Sequence, residues 1–336
     1  MSSVDIAALA QLVARHEGTR PNATLRLTPL RGGAIQENWL VSITGHAIEY
    51  VLRTDAPATI RSSHTREQEF ALVKAAHDAG VRVARPILYC DDASIFGKAF
   101  ALYEKMPGTA LGSRIVKDFS LGGDRRELAR TLGRGLAKIH RIEPGHRGLD
   151  FLGERPDDPA RIHVTHLRAA LDALGAKRPA LEWGLRWLEL HLPQAKRVTL
   201  LHSDYRTGNY LVDARGLTAI LDWEFSHWGD PHFDLAWFCA KCWRFGRNER
   251  EAGGIGWRED FYEGYETESG ERIDREAVAA YEVLAHARWA VIALEQGERH
   301  VSGREPSLEL ALTGRMAAEL EYELVRMTAP ERWRAA

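Results

Sequence analysis

The sequence predicts an α+β fold in two lobes, a small antiparallel sheet with one helix followed by a larger, mainly helical part. Three observations predict it. Strand-like runs fill residues 24–54 and 81–106, helical periodicity dominates after Met106-Pro107-Gly108, and strand signal returns only once, between Val198 and Glu224. These place an amino-terminal lobe at residues 1–106, with an N-terminal helix, and a carboxy-terminal lobe at residues 107–336.

The opening run MSSVDIAALAQLVARHEG lacks the basic start and apolar stretch of a secretion signal and reads as an amphipathic surface helix. From Thr24 to Thr54, LRLTPL, NWLVSIT and AIEYVLRT read as three consecutive antiparallel strands, separated by the break RGGAIQE and a turn at Gly45-His46. Ser63 to Ala79 reads as a helix, with Phe70, Val73 and Ala76 apolar among charges and Gly80 as its stop. Two further strands, VRVARPILYC and AFALYEKM, flank the turn DDASIFGK. Beyond the connector, DRRELARTLGRGLAKIHRI sets Leu128, Leu132, Leu136 and Ile139 on one helix face, and Pro159–Leu192 and Arg275–Met327 are mostly helical. Neither repeats nor Pro-rich linkers appear.

Composition narrows the function. With 336 residues, 45% hydrophobic and 27% charged, the chain has ample material for a sizeable core. Lys+Arg at 45 against Asp+Glu at 47 leaves a formal net charge of -2, so no global basic field attracts nucleic acid or anionic lipid. No stretch approaches the roughly 20 uninterrupted apolar residues of a membrane span. The three cysteines, Cys90, Cys239 and Cys242, are too few for a disulfide framework, and the expectation is a reducing compartment, the cytoplasm. Cys239 and Cys242 spell C-x-x-C, but without a second ligand pair the run DLAWFCAKCWRF reads as a buried aromatic helix, not a zinc site.

The returning strand segment carries the chemistry. His202-Ser203-Asp204 and Asn209 spell H-x-D-x-x-x-x-N, and Asp222-Trp223-Glu224 follows a hairpin made of NYLVD and LTAIL, joined at Ala214-Arg215-Gly216. Asn209 opens one strand and Asp222 closes its antiparallel partner, so both side chains arrive at one end of the ribbon, where the loop carrying Asp204 also lies. Such an oxygen-rich site suits Mg²⁺. Phosphoryl transfer needs a metal on the terminal phosphates and a carboxylate to orient the nucleophile. Asn209 and Asp222 are the expected metal ligands, Glu224 a further one directly or through water, and Asp204 the acceptor of a hydroxyl proton.

With HSDYRTGNYLVD and ILDWEFSHWGDPHFDLAW, the sequence resembles the aminoglycoside phosphotransferase and choline kinase family, of protein-kinase-like fold, especially the branch that includes kinase domains fused to acyl-CoA dehydrogenases. The resemblance runs from about Leu25 to Gly303 and implies ATP and Mg²⁺ as cofactors and a small-molecule hydroxyl as phosphoryl acceptor. In it Asp222 takes the place of the Asp of the protein-kinase D-F-G, Trp223 and Glu224 replacing the other letters. Gly32 and Gly33, within Arg31–Asn38, stand where the family places its phosphate-covering loop. Arg53 stands where protein kinases place a lysine, a departure that keeps a permanent charge and a planar fork for phosphate. Glu69 is its expected helix partner, with Glu67 as the alternative. Adenine is expected on the connector Tyr103–Gly108, at the Glu104 carbonyl and the Met106 N–H, while His202 and Asp234 brace the catalytic loop.

The acceptor pocket is expected along Trp237 to Tyr265, where interleaved Trp, Arg and Tyr suit an anionic or amphipathic acceptor such as a hydroxyacid or its CoA ester. Alternative readings are an aminoglycoside or other antibiotic kinase and a catalytically inactive kinase-like binding protein. A protein kinase is disfavoured because Asp222 runs almost directly into GDPHFDLAW, leaving little room for a peptide-docking loop.

Overall fold

The computed structural model describes residues 4–18, 24–30, 36–55 and 63–330. Helix α1 (Ile6–Glu17) begins where the Asp5 carboxylate accepts the Ala8 N–H and stops at Gly18 in the left-handed conformation. Strands β1 (Leu25–Leu30), β2 (Gln36–Ile43) and β3 (Tyr50–Asp55) pair consecutively and antiparallel, as their alternating sequence predicts. Helix α2 (Arg66–Asp78) starts in a capping box between Thr65 and Gln68 and ends just before Gly80, whose φ is 76°. Strand β4 (Pro86–Cys90) and strand β5 (Phe100–Glu104) complete the sheet, with β5 inserted so that the order is β1-β2-β3-β5-β4. Between them the expected turn contains one helical turn, α3 (Ala93–Phe96), capped by Asp92 and Gly97.

The two faces of this sheet have different partners. One face buries Val41, Leu52 and Leu102 under Leu9 and Val13 of α1, so the surface helix docks by its apolar stripe. On the other side α2 contributes Leu72, Val73 and Ala76 to the large core that continues into the helical lobe. The two lobes therefore share apolar packing behind the cleft. The chain crosses between them at Gly108 (φ 115°), where a Cβ would stand 2.5 Å from the Val212 carbonyl oxygen. Only glycine permits that approach.

The helical lobe comprises α4 (Gly112–Lys117), α5 (Arg125–Ile139), α6 (Pro159–Leu174) and α7 (Pro179–His191), then short strands, then more helices. Strands β6 (Thr199–Leu201), β7 (Tyr210–Val212), β8 (Leu217–Ile220) and β9 (His227–Gly229) form two ribbons, β6 with β9 and β7 with β8. β9 carries His-Trp-Gly, too short and aromatic for its strand character to show in sequence. Helices α8 (His232–Cys239), α9 (Arg258–Ser269), α10 (Arg275–Val301), α11 (Leu308–Arg315) and α12 (Ala317–Met327) follow.

Helix α5 meets α9 through Gly133 and Gly264, where a Cβ on either would overlap the backbone of Phe261 or Arg130. Helix α10 is long and apolar enough to cross a membrane by length and composition, although Glu282, His286 and Arg288 interrupt its apolar run; 72% of its apolar window is buried inside the protein, as in a core helix. Cys90, Cys239 and Cys242 are free thiols.

Candidate active site

The β7–β8 ribbon gathers the polar residues. The Leu221 N–H donates to the Asn209 carbonyl at 2.8 Å, extending the ladder one pair beyond Tyr210 and Ile220, so Asn209 and Asp222 leave the ribbon at the same end. Asp204 precedes β7 and meets Asn209 there. The Asn209 amide nitrogen donates to the Asp204 carbonyl (2.9 Å) and to its carboxylate Oδ2 (2.6 Å), leaving Asn209 Oδ1 as an acceptor. Asp204, Asn209, Asp222 and Glu224 line one cleft of about 1930 Å³ between the lobes.

Two backbone positions in this site are strained. Ser203 and Asp222 adopt φ of 68° and 69°, a conformation non-glycine residues hold only when their surroundings impose it. Asp234, fully buried on α8, supplies part of that: its Oδ2 accepts the His202 N–H (2.7 Å) and its Oδ1 the Ser203 N–H (2.9 Å). His202 supplies the rest. Its Nε2 donates to the Leu221 carbonyl (2.9 Å), which makes Nδ1 the acceptor for the Asp204 N–H (3.3 Å) and ties the loop to the residue before Asp222.

On the sheet side, Arg53 of β3 donates to Glu69 of α2 at 2.9 Å, and Arg66 also pairs with Glu69. Glu69 is fully buried, whereas Glu67, the alternative partner, is exposed. Arg53, Glu104 and Met106 line the cleft, and the Met106 N–H makes no hydrogen bond among the described residues. Gly32 and Gly33 lie outside the described residues.

The charges in the cleft are unequally compensated. Burial pushes the Asp204 carboxyl up, but Arg206, Arg288, the Trp237 N–H and His202 outweigh it and hold the group below the usual aspartate range. Asp222 is raised, first by burial and then by the charge of Asp204, with Arg53 only partly offsetting. Burial, then Asp222 and Glu69, push Glu224 up to about 7. Among the described residues no donor reaches the carboxylate of Asp222 or of Glu224. Two under-compensated carboxylates beside a free amide oxygen suit a divalent cation with hard-oxygen preference. They do not make a cage, since no group of three His, Cys, Asp or Glu among the described residues is arranged for a metal.

Sequence reasoning missed several residues that touch this site. Arg206 donates through Nε to both Asp204 oxygens (3.0 and 3.1 Å), the Trp237 indole N–H donates to Asp204 Oδ1 (2.9 Å), and His140 reaches Asp234 at 3.3 Å. Arg206 sits within the catalytic motif, two residues from Asp204, and Trp237 lies three residues after Asp234, where helical spacing could have found it. Arg288 and His140 carry no such signal, being brought in by α10 and the end of α5. The acceptor expectation also needs correction. Of Trp237 to Tyr265 only Trp243 lines the cleft, because Phe261, Tyr262 and Tyr265 of α9 are buried in the core of the helical lobe. Helices α6 and α10 supply the wall instead, with His163, Leu167, Arg288, Trp289 and Arg299.

A model of the phosphotransferase enzyme family matches residues 26–281. The chain belongs to that family. Among curated proteins it is similar to mouse acyl-CoA dehydrogenase family member 10, 34% identical over 229 residues, covering 66% of this chain and 21% of that protein. The rat acyl-CoA dehydrogenase family member 11 is 30% identical over 227 residues, covering 65% of this chain and 28% of that one. The chain thus spans between a fifth and three tenths of the length of these relatives. Among solved structures it resembles a Ralstonia eutropha JMP134 protein provisionally named an aminoglycoside phosphotransferase, with TM-score 0.77, 24% identity, and 97% and 98% of the two chains covered. A mutant aminoglycoside phosphotransferase in ternary complex with AMP-PNP and hygromycin B matches with TM-score 0.55 at 17% identity, over 96% and 99%. Its neighbours give the phosphotransferase a protein-kinase-like fold.

Proposed function

We propose that this phosphotransferase moves the γ-phosphoryl group of ATP, in the presence of Mg²⁺, to a hydroxyl group of a small molecule. The observation that carries this reading is the Asp204–Asn209 contact at the ribbon end beside Asp222, which pairs an ionised, oriented carboxylate with under-compensated oxygen ligands. In the reaction a bond forms between the acceptor oxygen and γ-phosphorus, and the bond to the β–γ bridging oxygen breaks. The acceptor proton passes to Asp204, which its neighbours keep deprotonated at neutral pH. Asn209 Oδ1 and Asp222 would hold magnesium, with Glu224 beside them; bound there, the ion neutralises charge on the phosphate oxygens. Arg53, held by Glu69 at the cleft wall, brings a permanent positive charge to the phosphates, and the Met106 N–H receives adenine. The AMP-PNP in a structural neighbour supports nucleotide use.

The acceptor class we favour is a hydroxyacid or hydroxyacyl-CoA. Arg299 and Arg304 line the helical side of the cleft with Glu295 and the apolar Leu167 and Ile292, a mixed surface that suits an amphipathic acceptor. The relatives' naming as acyl-CoA dehydrogenases agrees with an acyl-type acceptor. The three free thiols suit a reducing compartment, the cytoplasm. ADP release is to be followed over a panel of hydroxyacids, hydroxyacyl-CoA esters and aminoglycosides, with and without EDTA. Magnesium-dependent turnover with an acidic hydroxyl compound is expected; failure to bind MgATP at all would remove the reading.

A further inference from the structure

The Trp237 indole and the Arg288 guanidinium form a second layer behind Asp204. Helix α8 delivers Asp234 and, three residues later, Trp237, so one helix holds the backbone of the catalytic loop with a carboxylate and its carboxylate side chain with an N–H. Arg288 of α10 lies 4.5 Å over the Trp237 ring and 5.2 Å over that of Phe233, and its Nη1 donates to the Ser203 carbonyl at 2.6 Å. The strained Ser203 peptide is therefore held at both ends, its N–H by Asp234 and its carbonyl by Arg288. The indole is itself fixed, stacked near-parallel on Phe233 at 6.2 Å and packed on Trp243 at 5.1 Å.

We propose that Trp237 is a positioning residue for phosphoryl transfer, its indole N–H selecting the Asp204 rotamer and Arg288 clamping the indole and the Ser203 peptide together. A carboxylate has two oxygens. On Asp204, Oδ1 takes the indole N–H and Oδ2 the Asn209 amide, while Arg206 reaches both. Arg206 is an i+2 neighbour with a long, partly exposed side chain, able to swing toward a phosphate when substrates bind. The indole cannot swing, because it is buried between Phe233, Trp243 and Arg288. When the guanidinium moves, Trp237 and Asn209 remain to orient the carboxylate and stabilise its charge. Phenylalanine would fill most of the volume and leave Oδ1 without that donor.

This inference rests on Asp204 as the proton acceptor, so its test separates the two claims. The probe is MgATP alone, with water as acceptor, and hydrolysis is followed by ADP release. In Trp237→Phe the expected result is a roughly tenfold lower kcat with the KM for MgATP unchanged, since the carboxylate has lost the donor that orients it. Replacement of Trp237 by its benzothiophene analogue keeps the shape and removes only the N–H, so it reads the same effect if the phenylalanine variant folds poorly. Arg288→Met is expected to lower kcat with unchanged KM, and Arg288→Lys to recover part of it. An unchanged kcat in the benzothiophene protein overturns the role of Trp237 and leaves Asp204 standing. Undiminished hydrolysis in Asp204→Ala removes the underlying reading instead.

Discussion

Glu69→Gln is the substitution whose effect the structure specifies most fully. The carboxylate is fully buried and receives Arg53 at 2.9 Å and Arg66 as well; their side chains are 19% and 4% exposed. A glutamine keeps the shape but offers one carbonyl oxygen, so one guanidinium meets an amide donor and both lose the Glu69 charge. Removing one partner of a buried pair costs about 3–5 kcal/mol. Arg53 is partly solvated, and Asp222 and Glu224 act on it through space, so the loss belongs at the low end, about 3 kcal/mol. Urea unfolding at pH 7.5 checks this, with Glu67→Gln, an exposed control, expected within about 0.5 kcal/mol of the parent. Arg53, released from Glu69, should shift toward Asp222 and raise the KM for MgATP by up to as much as Arg53→Ala does. Glu69→Gln and Glu67→Gln proteins of equal stability and equal KM would refute the assignment of Glu69 as the anchor of Arg53.

Arg53→Ala is expected to raise the KM for ATP about tenfold or more while the ATP-independent fold persists; unchanged affinity and rate would reduce Arg53 to a surface cation. Glu224, raised to about 7 in the folded chain, holds its proton more tightly there than when unfolded. Its contribution is therefore fully present below the ordinary glutamate range and lost as pH rises through about 7. Without nucleotide, the stability gained by Glu224→Gln over the parent should grow between pH 5 and 8, and a gap independent of pH would contradict the burial argument. Gly133→Ala should destabilise by about 2–3 kcal/mol despite its better helix propensity, because its methyl meets the Phe261 backbone; thermal unfolding at or above the parent midpoint would mean α5 and α9 can separate freely.

The parts of this protein legible in sequence are those whose signal is local. The hairpin could be placed from NYLVD and LTAIL because alternation and turn residues act over a few positions, and the placing of Asn209 and Asp222 at one ribbon end follows from antiparallel pairing alone. The stop at Gly80 marks the end of α2, whose start the structure shows as a capping box at Thr65. Residues that act through tertiary crossing were invisible. Arg288 lies midway along a 27-residue helix whose sequence says only that it is apolar and buried. The aromatic run after Trp237 misled for a related reason: aromatic and arginine side chains suit a ligand wall and a helix–helix interface equally, and only the α5–α9 contact shows that Phe261 and Tyr265 serve the interface. β9 was unreadable because three residues carry too little pattern to separate a strand from a loop.

The assignment of chemistry to the ribbon end is tested most directly by measuring MgATP affinity and ADP release on the same samples of parent and Asp204→Ala. The expected outcome is affinity kept within about twofold while turnover falls by at least about a hundredfold. Turnover equal in the two proteins would place the reacting hydroxyl away from Asp204 and contradict the account.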